Sequence, residues 1–365
     1  MVKQTADAWE EVNLAQSVIV GFDGFVDEII HLVRTRDDFE NYARMDSMRE
    51  FSERVAGAVG YSANIEMVPQ QVKLGGNGPI MADALSKGGF LVTYIGALGR
   101  ENVDPVFHEF AASCERVISL ADPAHTEALE FNDGKLMMGK MDSLHNVKWE
   151  NLLEMIDEDE LSEWLEGISL VACVNWTMLP FMNGIFDGLT ELFKGLSDRM
   201  KVFVDLADPR KRAKEDIRDV LELLVNMQKY ADIILGLNEN ESVQVYEVLD
   251  GGKTADLSER ADNIRRSLGL SMTVVHPIKS ACVSHEGGTF FMEGPYTASP
   301  RLSTGAGDVF NAGFCKGVLL GGTPEQALAS ALCSSGYYVR NANAPRHEEL
   351  IEFMRTWAAA DCGAV

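Results

Sequence analysis

The run Ser303-Thr304-Gly305-Ala306-Gly307-Asp308 precedes an apolar-periodic stretch from Val309 to Val318 and reads as a turn opening a helix. Gly305 and Gly307 can take positive φ and let a bulky ligand approach the backbone. The helix that follows offers N–H groups without intrahelical partners and the positive end of its dipole. Together they suit a phosphate. Asp308, in the first helical turn, would lie where it can take a proton from a hydroxyl held between it and that phosphate, which is the chemistry of phosphoryl transfer. The same hexapeptide also fits an aspartate that only satisfies a helix N-terminus after a tight turn. One glycine-rich loop does not decide between them.

A second glycine-rich turn, Gly75-Gly76-Asn77-Gly78-Pro79, follows the strand-like Met67–Leu74 and leads into a helical run from Ile80 to Leu85. It could bring backbone close to a sugar, with Asn77 as a polar contact. Earlier, the β-branched run Ser17–Val20 ends in Gly21-Phe22-Asp23-Gly24-Phe25-Val26-Asp27. Ligands of open α/β sheets collect at the carboxyl ends of strands, so Asp27 is a candidate for binding substrate hydroxyls. Asp23-Gly24 fits a turn-forming aspartate better.

The elements that must hold these groups alternate along the chain. Strand patterns at 91–99, 168–174, 202–205 and 232–236 are separated by helix-length segments, the signature of right-handed βαβ crossovers and a largely parallel sheet. Residues 272–275, 281–284 and 289–292 are short and close together, which predicts antiparallel edge strands. Ala128–Met138 reads as a hairpin across Asn132-Asp133-Gly134, shaped to serve as a lid. Residues 37 to 60 suggest one or two inserted amphipathic helices. Thr323-Pro324-Glu325-Gln326 has the chemistry of a capping box and starts another helix.

Composition narrows the partners. With 32 Lys and Arg against 56 Asp and Glu, the net charge of −24 argues against nucleic acid or an anionic membrane as the main partner. The six cysteines stand singly, without a C-x-x-C pair, and read as reduced thiols of a cytoplasmic protein. The first residues lack the apolar core of a signal peptide, and no apolar run approaches the roughly 20 residues of a membrane span. The seven histidines show no metal-ligand spacing.

In this order the motifs resemble the PfkB/ribokinase family of carbohydrate kinases over nearly the whole chain. The landmarks are the early strand ending near Asp27, the Gly75–Gly78 turn with the Tyr94–Gly99 strand, the segment Asn238-Glu239-Asn240-Glu241, and Thr304-Gly305-Ala306-Gly307-Asp308. The resemblance implies a ribokinase-like α/β three-layer sandwich, one domain over 1–365, with a small β lid from segments near 28–36, 66–74 and 128–138. It also implies transfer of the γ-phosphoryl of ATP to a sugar hydroxyl. Asp308 would be the general base, and Gly305, Ala306 and Gly307 would form the anion hole. Thr304, Asn238 and Glu241 would serve the nucleotide, Glu241 through Mg²⁺, while Asp27, Gly75, Gly76 and Asn77 would face the sugar.

Family members often pair through their lids, so a homodimer is a further expectation. A nucleoside kinase of the same family and a catalytically silent relative are the alternatives. This chain has Leu302 where the family often has a cation-binding Asp, and Ile80 where it commonly has an Asn. Pro277 and Ser280 replace the glycines of a turn that meets the nucleotide. Proline has no N–H to offer a phosphate, so that turn must be built differently.

Overall fold

The computed structural model describes residues 1–360 apart from 13, 250, 251 and 253–255. Its strands are β1 (Ser17–Gly21), β2 (Phe25–Arg36), β3 (Tyr42–Arg44), β4 (Met67–Gly75), β5 (Leu91–Gly96), β6 (Arg116–Ser119) and β7 (Ala124–Phe131). They continue with β8 (Gly134–Lys140), β9 (Ile168–Cys173), β10 (Met200–Asp205), β11 (Ala231–Asn238), β12 (Met272–His276), β13 (Ser280–His285) and β14 (Gly288–Glu293). Nine of them form one sheet in the order β14-β13-β12-β11-β10-β9-β1-β5-β6. From β6 through β12 every neighbouring pair is parallel. Only the pairs β12–β13 and β13–β14 are antiparallel, as expected for 272–292, but the first of these strands, β12, lies inside the sheet and not at its edge. β12 pairs parallel with β11 because the helix Leu257–Leu268 supplies the crossover between them.

Strand residues alternate between two apolar layers. Val18, Val20, Ala172 and Phe203 point into one, with the helices Asn77–Lys87, Ala306–Leu319 and Pro324–Asn341. Ile19, Val171, Val202 and Val204 point into the other, with the helices Met182–Phe193 and Lys214–Met227. Near-continuous apolar strands covered on both faces are what a parallel sheet requires. Each fully buried large apolar side chain contributes ~1.5–3 kcal/mol to holding these layers together. The three-layer arrangement places the carboxyl ends of β1, β9, β10 and β11 along one edge.

Above that edge sits the lid. β2 pairs antiparallel with β4 and parallel with β7, which forms a hairpin with β8 across Asn132 and Asp133. The lid strands begin earlier than the sequence suggested, so Asp27 lies inside β2 and not at the end of the first strand. Residues 37–60 are not wholly helical. Tyr42–Arg44 add to the far end of β2, where the Tyr42 hydroxyl meets His31 and Arg36 lies over the Tyr42 ring. A single helix, Met48–Ala56, is capped by Ser47 and rests Met48 and Phe51 on Leu129 and Phe131 of the lid. The aromatic contacts at Tyr42 outweigh the helical pattern around it. Capping at Thr323 occurs as its sequence chemistry requires, with Gln326 completing the box. The five cysteines in the described residues are free thiols; Cys362 lies outside them.

Candidate active site

The second glycine turn is held from below by Asp23. This carboxylate is fully buried and accepts the Asn77 amide at 3.0 Å, the Gly78 amide at 2.7 Å and the Asn175 side-chain amide at 2.5 Å. Burial pushes Asp23 up to about 6, against the pull of these donors. It is therefore not the local turn-former its sequence suggested, since its partners come from distant segments. The helix begins at Asn77, earlier than Ile80, because Pro79 in its first turn gives up an amide that would have no intrahelical partner there.

Starting the helix at Asn77 aims its side chain at the other motif. Asn77 Nδ2 donates to Asp308 Oδ1 at 2.9 Å. Gly75 lies beside Asp27: a Cβ at Gly75 would stand 2.4 Å from the Asp27 carboxyl carbon. Asp27 is itself mostly buried, which raises it, while a hydrogen bond from Thr126 and the charge of Lys73 lower it. Asp27, Gly75, Gly76 and Asn77 thus form one continuous wall. Gly75→Ala must displace the Asp27 carboxylate, so, under the sugar-facing role that the family resemblance implies for Asp27, we expect KM for the sugar acceptor to rise about tenfold with KM for nucleotide unchanged, in steady-state assays varying each substrate. Unchanged sugar KM would show that Asp27 does not meet the substrate.

Of the two glycines of the first motif only Gly305 takes positive φ; Gly307 lies within the first turn of the helix, where its conformation is helical. Gly305 has φ +87° and is the N-cap of the helix Ala306–Leu319, with Asp308 as its third residue. Tyr338 donates its hydroxyl to the Thr304 carbonyl at 2.8 Å and fixes the turn from behind. The helices Asn77–Lys87 and Ala306–Leu319 lie side by side. The Asn77–Asp308 bond joins their starts, and Lys316 Nζ, donating to the Gly88 carbonyl at 3.1 Å, joins their ends. The two positive helix termini therefore meet at the same place, where negative charge is favoured.

Carboxylates have accumulated there. Asp308 is buried and raised well above the usual carboxylate range by that burial, then by Asp205 and Asp23. Asp205, at the end of β10, accepts from the Asn311 side chain at 2.7 Å and the Ala207 amide at 2.6 Å. Asn238 and Glu241 form a reciprocal capping box at the start of the helix Glu239–Val248. Burial, with Asp205 next, pushes Glu241 up to about 9. Among the described residues no three His, Cys, Asp or Glu side chains converge on a point that would hold a metal ion.

Beside the Gly305 turn opens a cavity of about 490 Å³ reached by Gly307, Asn238, His276, Pro277, Tyr296 and Phe310. The turn at Pro277 is built as an apolar wall: His276 stacks on Phe310 with ring centroids 4.5 Å apart. Burial pushes His276 down to about 4, so the ring is neutral at pH 7. Thr304 is exposed at the mouth of the turn. All the sequence-picked residues thus gather along the carboxyl edge of the sheet. Reading the sequence missed Asn175, Asp205, His276 and Asn311. Asp205 carried a usable signal, since it ends an apolar strand at the carboxyl edge of a parallel sheet. Asn175 and Asn311 carried none, because a lone asparagine after a strand or inside a helix has no pattern.

Solved structures share this architecture. Ribokinase of Arabidopsis thaliana, solved with ribose and ATP, superposes with a TM-score of 0.66 at 17% identity, covering 93% of this chain and 99% of that one. Adenosine kinase of Sinorhizobium meliloti gives 0.66 at 16% identity over 94% and 99% of the two chains. Ribokinase of Thermotoga maritima gives 0.64 at 16% over 94% and 100%. The chain therefore has the ribokinase-type fold, and its sequence relatives make it a sugar kinase. In sequence, ketohexokinase of Haloferax volcanii is 28% identical over 340 residues, 92% of this chain and 90% of that protein. The chain belongs to the prokaryotic ketohexokinase family, whose profile it matches from residue 3 to 357.

Proposed function

We propose that this sugar kinase transfers the γ-phosphoryl of ATP to a hydroxyl of a ketohexose, with Asp308 as general base. The observation that carries the proposal is the Asn77–Asp308 bond, which joins the Asp27–Asn77 wall to the anion turn. A sugar hydroxyl lying along that wall comes within reach of Asp308, and a phosphate at Gly305–Gly307 lies next to it. Such placement supplies most of what phosphoryl transfer needs. Asp308 is raised by burial and then by Asp205 and Asp23, so it is the stronger base once its proton has been lost. The cavity beside the turn has apolar walls suited to a nucleotide base, with Asn238, Ser303 and Gly307 lining it and Thr304 exposed in the adjoining turn.

The donor set fits Mg²⁺ held mainly through water. Burial and then the charge of Asp205 raise Glu241, and a bound cation would favour its ionised form, yet among the described residues too few side chains converge for a direct protein cage. When bound, the metal would neutralise phosphate charge; Glu241 would hold it in place. A ketohexose is proposed from the family to which the chain belongs and from the Haloferax volcanii relative's name.

A second copy is proposed to pair through the lid, where Val72, Leu136, Met137 and Met138 are exposed. No helix among the described residues is long and apolar enough to cross a membrane.

The test is ADP release from ATP-Mg²⁺ across ketohexoses, aldohexoses, ribose and adenosine. We expect a ketohexose to give the highest kcat/KM. Preference for adenosine would move the protein to the nucleoside kinases, and tight ATP binding without turnover on any acceptor would support the silent alternative.

A further inference from the structure

We infer that Asp23 is a positioning residue: through the Gly76–Gly78 turn it sets where Asn77 holds Asp308. The first amides of a helix have no intrahelical acceptor and usually receive one from the N-cap side chain. Here the N-cap is Gly76, which has none. Asp23, from the link between β1 and β2, takes that place and accepts from both Asn77 and Gly78. The side chain of Asn77 is thereby left free to reach Asp308.

The surroundings are fitted to a carboxylate. Asn175 donates to Asp23 Oδ2, the oxygen that also accepts from the Asn77 amide, from a backbone with φ 61°, and its own Oδ1 finds no hydrogen-bond partner among the described residues. Tyr94 pins the Asp23 carbonyl with its hydroxyl at 2.5 Å. A Cβ at Gly78 would stand 2.6 Å from Asp23 Oδ1, so no larger residue fits the turn. Burying an ionised carboxylate without a cation is expensive unless hydrogen bonds and helix dipole compensate it. Asparagine has the same shape but turns an NH₂ toward a backbone N–H, and so cannot accept from both amides. With no exposed surface, Asp23 cannot meet substrate, and its influence runs through the turn.

This inference rests on Asp308 acting as the base. Asp23→Asn is expected to lower kcat about tenfold or more, the scale of a small misplacement of reacting groups. KM for ATP should stay within about twofold, since the walls of the nucleotide cavity come from other segments. Hydrogen exchange at the Asn77 and Gly78 amides should accelerate in the variant. Asn175→Ala, which removes one donor to Asp23 and touches neither turn, should lower kcat about threefold with the same ATP KM.

Unchanged kcat in Asp23→Asn, or a fall in kcat matched by the fraction of unfolded protein, overturns the inference. Should Asp23→Asn fail to fold, parental kcat in Asn175→Ala overturns it, as does rapid exchange of the two amides in the unsubstituted protein. Asp308→Asn, run in the same assay, separates the layers. Its inactivity alongside a fully active Asp23→Asn refutes the positioning role alone, whereas a fully active Asp308→Asn refutes the base and the positioning role together.

Discussion

Asp308→Asn lowers kcat by about 10³ and, at neutral pH, raises the thermal midpoint. The first effect follows from removing a general base, worth roughly 10²–10⁴, while the isosteric amide keeps an oxygen for the Asn77 bond. KM for ATP should change little, because the anion turn and cavity keep their shape. The second effect follows from burial: the Asp308 carboxyl is raised above its ordinary value of 3.8 by desolvation and then by Asp205 and Asp23. Its folded pKa exceeds its unfolded one, so between them the folded state holds a proton that the unfolded state has released. Stability contributed by that proton is full below the unfolded value and is lost as pH rises through the folded value. Asparagine has no proton to lose. The stability advantage of the variant therefore grows as pH rises from about 4 and levels off above the folded pKa of Asp308. Calorimetric melting of both proteins from pH 4 to 9 reads this directly. A variant with parental kcat would remove Asp308 from the mechanism, and a variant melting lower at every pH would show that its carboxylate stabilises the fold.

The contrast between what was legible and what was not follows the range of the interactions. Strands β9, β10 and β11 announce themselves as apolar runs because burial on both faces is written into consecutive residues. Gly305 and the capping box at Thr323 were legible for the same reason: each depends on residues within a single turn. Asp23 was misread because its acceptors serve amides at 77 and 78, and nothing near Asp23 encodes that reach. At residues 37–60 periodicity favoured helix throughout, but Tyr42 found β2 and the Arg36 side chain, contacts that exist only once the lid is formed. Pro277 looked like a break in the nucleotide site. In the folded chain it borders the cavity, beside an aromatic stack of His276 on Phe310 that no local pattern predicts.

Gly305→Ala is expected to lower kcat about 10², close to the loss seen when one donor of an anion-stabilising site is removed. The backbone at this position has φ +87°, which costs an L-residue roughly 1–2 kcal/mol. The added methyl would also stand 2.9 Å from the Tyr338 hydroxyl and 3.2 Å from two carbons of Ile80. Tyr338 cannot yield freely, because it is nearly buried on the helix Pro324–Asn341 and donates to the Thr304 carbonyl. Relief must come from rotation of the turn, and that turns the amides of Ala306 and Gly307 away from the phosphate they are proposed to bind. KM for the sugar should hold, since the Asp27–Asn77 wall does not move. Two causes can then be told apart by a double-mutant cycle with Tyr338→Phe. Deleting the hydroxyl opens space for the methyl but leaves φ unchanged. Partial recovery of kcat in the double variant assigns that share to the steric clash, and no recovery assigns the loss to backbone strain. Parental kcat in Gly305→Ala itself would mean that the turn does not carry the phosphate.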